Sequence, residues 1–176
     1  MAKLRQFEVL ITPFQPLSLR GNKGRRYAQK EALRKEILKR IGEDELKEFS
    51  EEYRNKLVKV SLVFFLWKGS PGVTDTRWKK DLDNLVKPVL DVLQQHLDSQ
   101  KTKLGLNLFE NDDYVCVLHA AKKLAAKPKD EGIHIVVSDI RDDEMLRLLE
   151  GRESAGNIAW GSLRLRRETH PALGYS

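Results

Sequence analysis

Cysteine is almost missing from this chain. Of 176 residues, Cys116 is the sole one, so no intrachain disulfide can form and a reducing compartment is expected. Cys116 lies in the apolar run Tyr114-Val115-Cys116-Val117-Leu118, where a small core residue is expected rather than a nucleophile. Long hydrophobic runs are also missing. No stretch approaches the ~18 apolar residues that a membrane span requires. The start, Met1-Ala2-Lys3-Leu4-Arg5-Gln6, has a charged head and no apolar region of the signal-peptide kind. The expectation is a soluble cytoplasmic protein with no membrane partner. Histidine is sparse, and His96, His119, His134 and His170 have no metal-ligand spacing; the histidines within strands are expected to be ordinary hydrogen-bonded residues. Gly21-Asn22-Lys23-Gly24 lacks the phosphate-cradling Walker pattern. Ser18, Ser61 and Ser70 have no nucleophile-elbow context.

Positive charge, by contrast, is abundant. The net charge is +6 with 33% charged residues, while a 40% apolar fraction suffices for one core. Before Ile41 there are eleven Lys and Arg against Glu8, Glu31 and Glu36. So uneven an excess favours a polyanionic partner, and nucleic acid in particular.

The length fits one domain with an appendage. Phe7-Glu8-Val9-Leu10-Ile11 reads as a strand that Pro13 and Pro16 end, and residues 17–26 as a basic loop. Ala32, Leu33, Ile37, Leu38 and Ile41 recur at helical spacing, predicting a helix over 27–41 that Gly42 ends. Residues 43–55 are strongly charged and read as exposed, with a second helical stretch as one option. Residues 56–67 alternate as a strand with apolar groups on both faces, the pattern of a central strand. A helix is predicted over 84–97, a connection over 98–111, and strands over 114–123 and 132–138 joined through Lys127-Pro128-Lys129-Asp130. The order β-α-β-α-β-β gives an α/β or α+β domain with a mixed sheet of about four strands over residues 1–140. Residues 141–150 read as a short helix, and 151–176 as a tail.

The richest stretch is Lys79-Lys80-Asp81-Leu82-Asp83-Asn84-Leu85-Val86-Lys87, answered by Asn111-Asp112-Asp113. Carboxylates gathered in a basic chain suggest a hard divalent cation facing phosphate. On one helix Asp81 and Asp83 would diverge by ~200°, at ~100° per residue; in extended chain i and i+2 point the same way, ~6.5–7 Å apart. Convergence therefore needs an extended Asp81 with Asp83 near the helix start. Lys87 follows Asp83 by one helical turn, placed to meet a phosphate or to pair with Asp83. Pro88 removes the donor that the carbonyl of Asn84 would normally find. The plainer alternative is that the aspartates merely cap a helix and shape a turn. Trp67, at a strand end, reads as packing; Trp78, beside the acidic motif, is the better candidate for stacking on a base.

At these residues the chain resembles the RusA family of Holliday junction resolvases. The likeness runs through Asp81-Leu82-Asp83-Asn84-Leu85-Val86-Lys87, then Leu90-Asp91-Val92-Leu93, then Asn111-Asp112-Asp113-Tyr114-Val115, and Lys122. It spans roughly residues 7–139, with Pro88 standing where that family usually has a small helix former. What the resemblance implies is a homodimeric endonuclease dependent on Mg²⁺, with Mn²⁺ as an alternative. It would nick opposing strands of a four-way DNA junction during recombination and repair. By that resemblance Asp81, Asp83 and Asp112 are metal ligands and Lys87 is catalytic. Asp113 competes with Asp112, and a gap-free register through Val115 and Lys122 favours Asp112. Arg20, Lys23, Arg25, Arg26, Arg77, Lys79 and Lys80 are the expected contacts to DNA phosphates, which position a duplex without reading it. Two other readings stay open: a junction-binding protein without catalysis, and a metal-dependent nucleotide phosphatase.

Overall fold

The structure, a computed structural model, describes residues 6–16, 23–69, 73–74, 77–78, 81–94 and 105–140. Its elements follow in the order β1 (Phe7–Ile11), α1 (Lys23–Ile41), α2 (Glu43–Tyr53), β2 (Val58–Leu66), the short β3 (Val73–Thr74) and β4 (Arg77–Trp78), α3 (Leu82–Leu93), β5 (Val115–Leu124) and β6 (Gly132–Asp139). Among the described residues the fold is α+β, a four-stranded mixed sheet with three α-helices. Sheet order is β1-β6-β2-β5, and β3 and β4 pair separately. β6 runs antiparallel to both β1 and β2. β2 and β5 are parallel, so the chain must cross over between them, and α3 lies in that crossover.

β2 shows why the sheet has a core side. Val58, Val60, Leu62, Phe64 and Leu66 are all buried, and the residues between them are half-buried. Its central position agrees with the apolar pattern on both faces. The inward residues of β1, β2 and β6 join Leu33 and Ile37 of α1, Leu46, Phe49 and Tyr53 of α2, and the apolar side of α3 in one cluster. Each such side chain contributes about 1.5–3 kcal/mol by leaving water. Gly132 begins β6 where the backbone of β1 passes closest: a Cβ there would be driven into the carbonyl oxygen of Ile11 and the methyl of Thr12.

Several expectations are corrected. α1 starts at Lys23, inside the segment read as a basic loop, because its first turn carries basic rather than apolar residues. Gly42 ends it at φ 86°, its N–H donating to the Leu38 carbonyl at 2.8 Å. Residues 43–53 are helical and not wholly exposed, since Leu46, Phe49 and Tyr53 face the core. α3 spans 82–93 instead of 84–97; Gln94 leaves the helix to bridge Phe109. Tyr114, expected as the first residue of a strand, instead closes a 3-10 turn that begins at Asp112, and β5 starts at Val115. Cys116 is exposed, not a core residue. The β2–β5 register jumps from Val58–Val115 to Lys59–Val117, so Cys116 is the extra residue of a bulge on the sheet's edge. The helix and tail expected over 141–176 lie outside the described residues. Among the described residues, no helix is long and apolar enough to cross a membrane.

Candidate functional site

α3 carries the first acidic segment. Asp81 precedes its first residue with φ −64° and ψ 143°, the extended geometry that lets it share a direction with Asp83. The Asp81 carboxylate does not cap the helix; it accepts a 3.3 Å hydrogen bond from Asn84 Nδ2, while its carbonyl accepts from the Leu85 N–H at 3.2 Å. Asp83 lies exposed in the first turn, where the helix dipole favours negative charge. Lys122, opposite Phe64 on β5, comes to the same end of α3. Burial lowers its pKa, and the charge of Asp81 opposes that shift. The charge of Lys122 thus costs stability in full below its lowered pKa, and the cost disappears as pH rises from there to the ordinary lysine value.

The second acidic segment is set by Asn111. Its side chain accepts from the Asp113 N–H at 2.9 Å and so starts the 3-10 turn. Asp113 is exposed, whereas Asp112 meets α3. Lys87 Nζ donates to Asp112 Oδ2 at 2.5 Å and lies 3.2 Å from Asp91 Oδ1, its neighbour one turn along the helix. Asp91 Oδ2 is held in turn by Lys30 Nζ of α1 at 2.6 Å. Lys30, Asp91, Lys87 and Asp112 thus form a row of alternating charge that joins α1, α3 and the turn before β5. Burial disfavours the Lys87 charge but is outweighed by the hydrogen bond to Asp112 and the charge of Asp91, so its pKa lies above the ordinary lysine value. Its contribution to stability is complete below that ordinary value and is lost as pH rises through the raised one. At neutral pH Lys87 is a fixed positive charge.

The structure therefore brings Lys87 and Asp112 together from segments 25 residues apart, with Asp81 just before the same helix and Asp83 in its first turn. Oδ1 of Asp112 is buried with no hydrogen-bond donor, and carboxylate oxygens suit a hard cation. Yet among the described residues no group of three or more His, Cys, Asp or Glu side chains is gathered closely enough to hold a metal ion. Donor chemistry fits Mg²⁺; a closed ligand shell is not formed by Asp81, Asp83 and Asp112 as they stand. Of the expected DNA contacts, Lys23, Arg25 and Arg26 lie on the first turn of α1, with Arg26 half-buried, and Arg77 lies on β4. Arg20, Lys79 and Lys80 fall outside the described residues. Sequence reasoning gave no role to Asp91 or Lys30. The i, i+4 spacing of Lys87 and Asp91 is a signal for the first; nothing local marks Lys30, 61 residues from its partner. No protein-family model matches the chain, and no curated protein matches it.

Proposed function

We propose that the chain is a divalent-cation-dependent endonuclease that resolves four-way DNA junctions by paired nicks. The observation that carries this reading is the contact between Lys87 and Asp112, which unites the two charged motifs on one side of α3. The resemblance to the RusA family supplies the reaction class. Asp81, Asp83 and Asp112 are the residues that would hold Mg²⁺ or Mn²⁺. When bound, the cation would polarise a phosphoryl oxygen and favour hydroxide over water. The ammonium of Lys87, charged throughout the neutral range, would stabilise negative charge as it grows on the phosphate oxygens. The oxygen of water adds to phosphorus as the bond to the 3′ oxygen breaks, and the proton that water gives up is balanced by one taken on by that 3′ oxygen. The products are a 5′ phosphate and a 3′ hydroxyl, which a ligase can rejoin. Two opposed nicks require two sites, and a two-fold dimer would match the junction's symmetry.

A second reading is favoured by the carboxylates not being gathered into a shell: a junction-binding protein without catalysis. Incubating the chain with an end-labelled four-way junction or a linear duplex, in Mg²⁺ or EDTA, separates the two. Symmetric, ligatable nicks confined to the junction and to Mg²⁺ are the expected outcome. A tight junction complex that stays intact in Mg²⁺ would replace the proposal with the second reading. Hydrolysis of free nucleotides with the DNA untouched would replace both with a phosphatase.

The excess of positive charge at the start of α1 makes a separate prediction. Replacing Arg25 and Arg26 together with Ala should weaken binding to junction and duplex alike. If both contact phosphates, the slope of log affinity against log salt should become shallower by about 1.8, at about 0.9 per neutralised phosphate. An unchanged slope would place the DNA surface elsewhere.

A further inference from the structure

We infer that Asp91 is a positioning residue for Lys87, and that Lys30 is the anchor that makes it one. This rests on the endonuclease reading above. Lysine reaches its site on a long flexible stem and presents a compact charge with no geometry of its own. With Asp112 as its single partner, Lys87 would follow that carboxylate wherever it turned. Asp91 fixes it from the other side. One turn along α3, its Oδ1 lies 3.2 Å from Lys87 Nζ, and Asp112 Oδ2 lies 2.5 Å away. The two ends of the row differ in solvation: the side chains of Asp91 and Lys30 are 12% and 17% exposed, those of Lys87 and Asp112 47% and 43%. The inner pair is the fixed end, and the outer pair faces the solvent from which substrate comes.

Lys30 sets how strongly Asp91 pulls. By taking Oδ2 at 2.6 Å it neutralises much of that carboxylate and leaves Oδ1 for Lys87. Gln94 Nε2 also reaches Oδ1, but at 3.5 Å, the long limit of a hydrogen bond. Without Lys30, Asp91 would hold its full charge for Lys87 and draw the ammonium inward from Asp112. Without Asp91, Lys87 would lose its inner hold and Lys30 would be a nearly buried cation with no partner. The packing of α1 against α3 is thus what places a charge at the outer site.

The test separates positioning from mere stability. Asp91→Asn should lower the single-turnover cleavage rate at saturating junction roughly 10- to 100-fold, the usual cost of removing an outer partner of a site group, with DNA affinity unchanged. The double variant Asp91→Asn/Lys30→Met removes the stranded cation and should recover the melting temperature while the rate stays low. Recovery of rate along with melting temperature would overturn the inference, because the role would then be structural. Lys30→Arg should keep the rate and Lys30→Met should lose it; equal rates in those two would also overturn it. A second readout needs no cleavage. The order parameter of the Lys87 ammonium, from ¹⁵N relaxation in the DNA-free protein, should fall in Asp91→Asn. An unchanged order parameter refutes positioning. Failure of the wild type to cut junctions, with that fall present, refutes the endonuclease reading alone.

Discussion

Asp83→Asn and Asp112→Asn should each cut junction cleavage by roughly 10²-fold or more, while Asp113→Asn keeps most of the wild-type rate. Losing one carboxylate charge from a cation site removes several kcal/mol of transition-state stabilisation, and 1.4 kcal/mol is a factor of ten. The amide keeps the shape, so binding through the basic residues should persist or tighten as repulsion of phosphate falls. Folding should hardly change. Asp83 is exposed, and the Lys87–Asp112 pair is nearly half exposed, so its loss should cost no more than about 1 kcal/mol. Asp113 differs because its role in the turn is carried by its backbone N–H, bonded to Asn111 Oδ1, which the substitution leaves intact. The check is single-turnover cleavage in Mg²⁺ beside a binding isotherm for each variant. Activity retained in Asp112→Asn and lost in Asp113→Asn would exchange their roles; activity in all three would remove these segments from the site.

The second large effect concerns the fold. Tyr53→Phe should destabilise the protein by about 1–3 kcal/mol, and Tyr53→Ala by about 3–5 kcal/mol, against a typical total of about 5–15 kcal/mol. Tyr53 is fully buried. Its hydroxyl accepts from the Phe7 N–H at 3.2 Å and donates to the Val137 carbonyl at 3.0 Å. Phe7 and Val137 are register partners of β1 and β6, so one hydroxyl from α2 satisfies the backbone where that pairing begins. The ring also stacks on Phe49, which meets Phe7 edge to face. The Phe variant strands a buried N–H, and the Ala variant adds a cavity. Urea denaturation reads both. A Phe variant as stable as wild type would show that the hydroxyl bridge contributes nothing.

Where periodicity reports burial, the fold was legible. β2 alternates cleanly, and its apolar second face announced a strand with neighbours on both sides. α2 was harder to read, because Leu46, Phe49 and Tyr53 are a narrow apolar stripe among Glu43, Asp44, Glu45, Glu48, Glu51 and Glu52. Composition dominates such a stretch, whereas three residues decide which way it faces. Cys116 defeats its pattern, because an apolar run on an edge strand with a bulge looks like one in a core. The local geometry of the acidic motif was legible: convergence of Asp81 and Asp83 required an extended Asp81, and that is its conformation. The pairing of Lys87 with Asp112, and of Lys30 with Asp91, depends on how the crossover and α1 pack. Spacing along the chain carries no trace of that.

The strand order has a consequence for how the molecule comes into being. β6, the last of the described strands to be synthesised, is not added at a margin; it fills the slot between β1 and β2. Until it has left the ribosome, β1 has no neighbour in the main sheet, and β2 shows a bare backbone along one side. The nascent chain must therefore carry two unsatisfied strand edges until β6 has emerged. The N-terminal strand is tied down by residues made some 125 positions later, as the pairing of Ile11 with Ile133 and of Phe7 with Val137 marks. Such long-range closure makes for slow folding. A chain cut short before Gly132 would lose not one strand but the attachment of two.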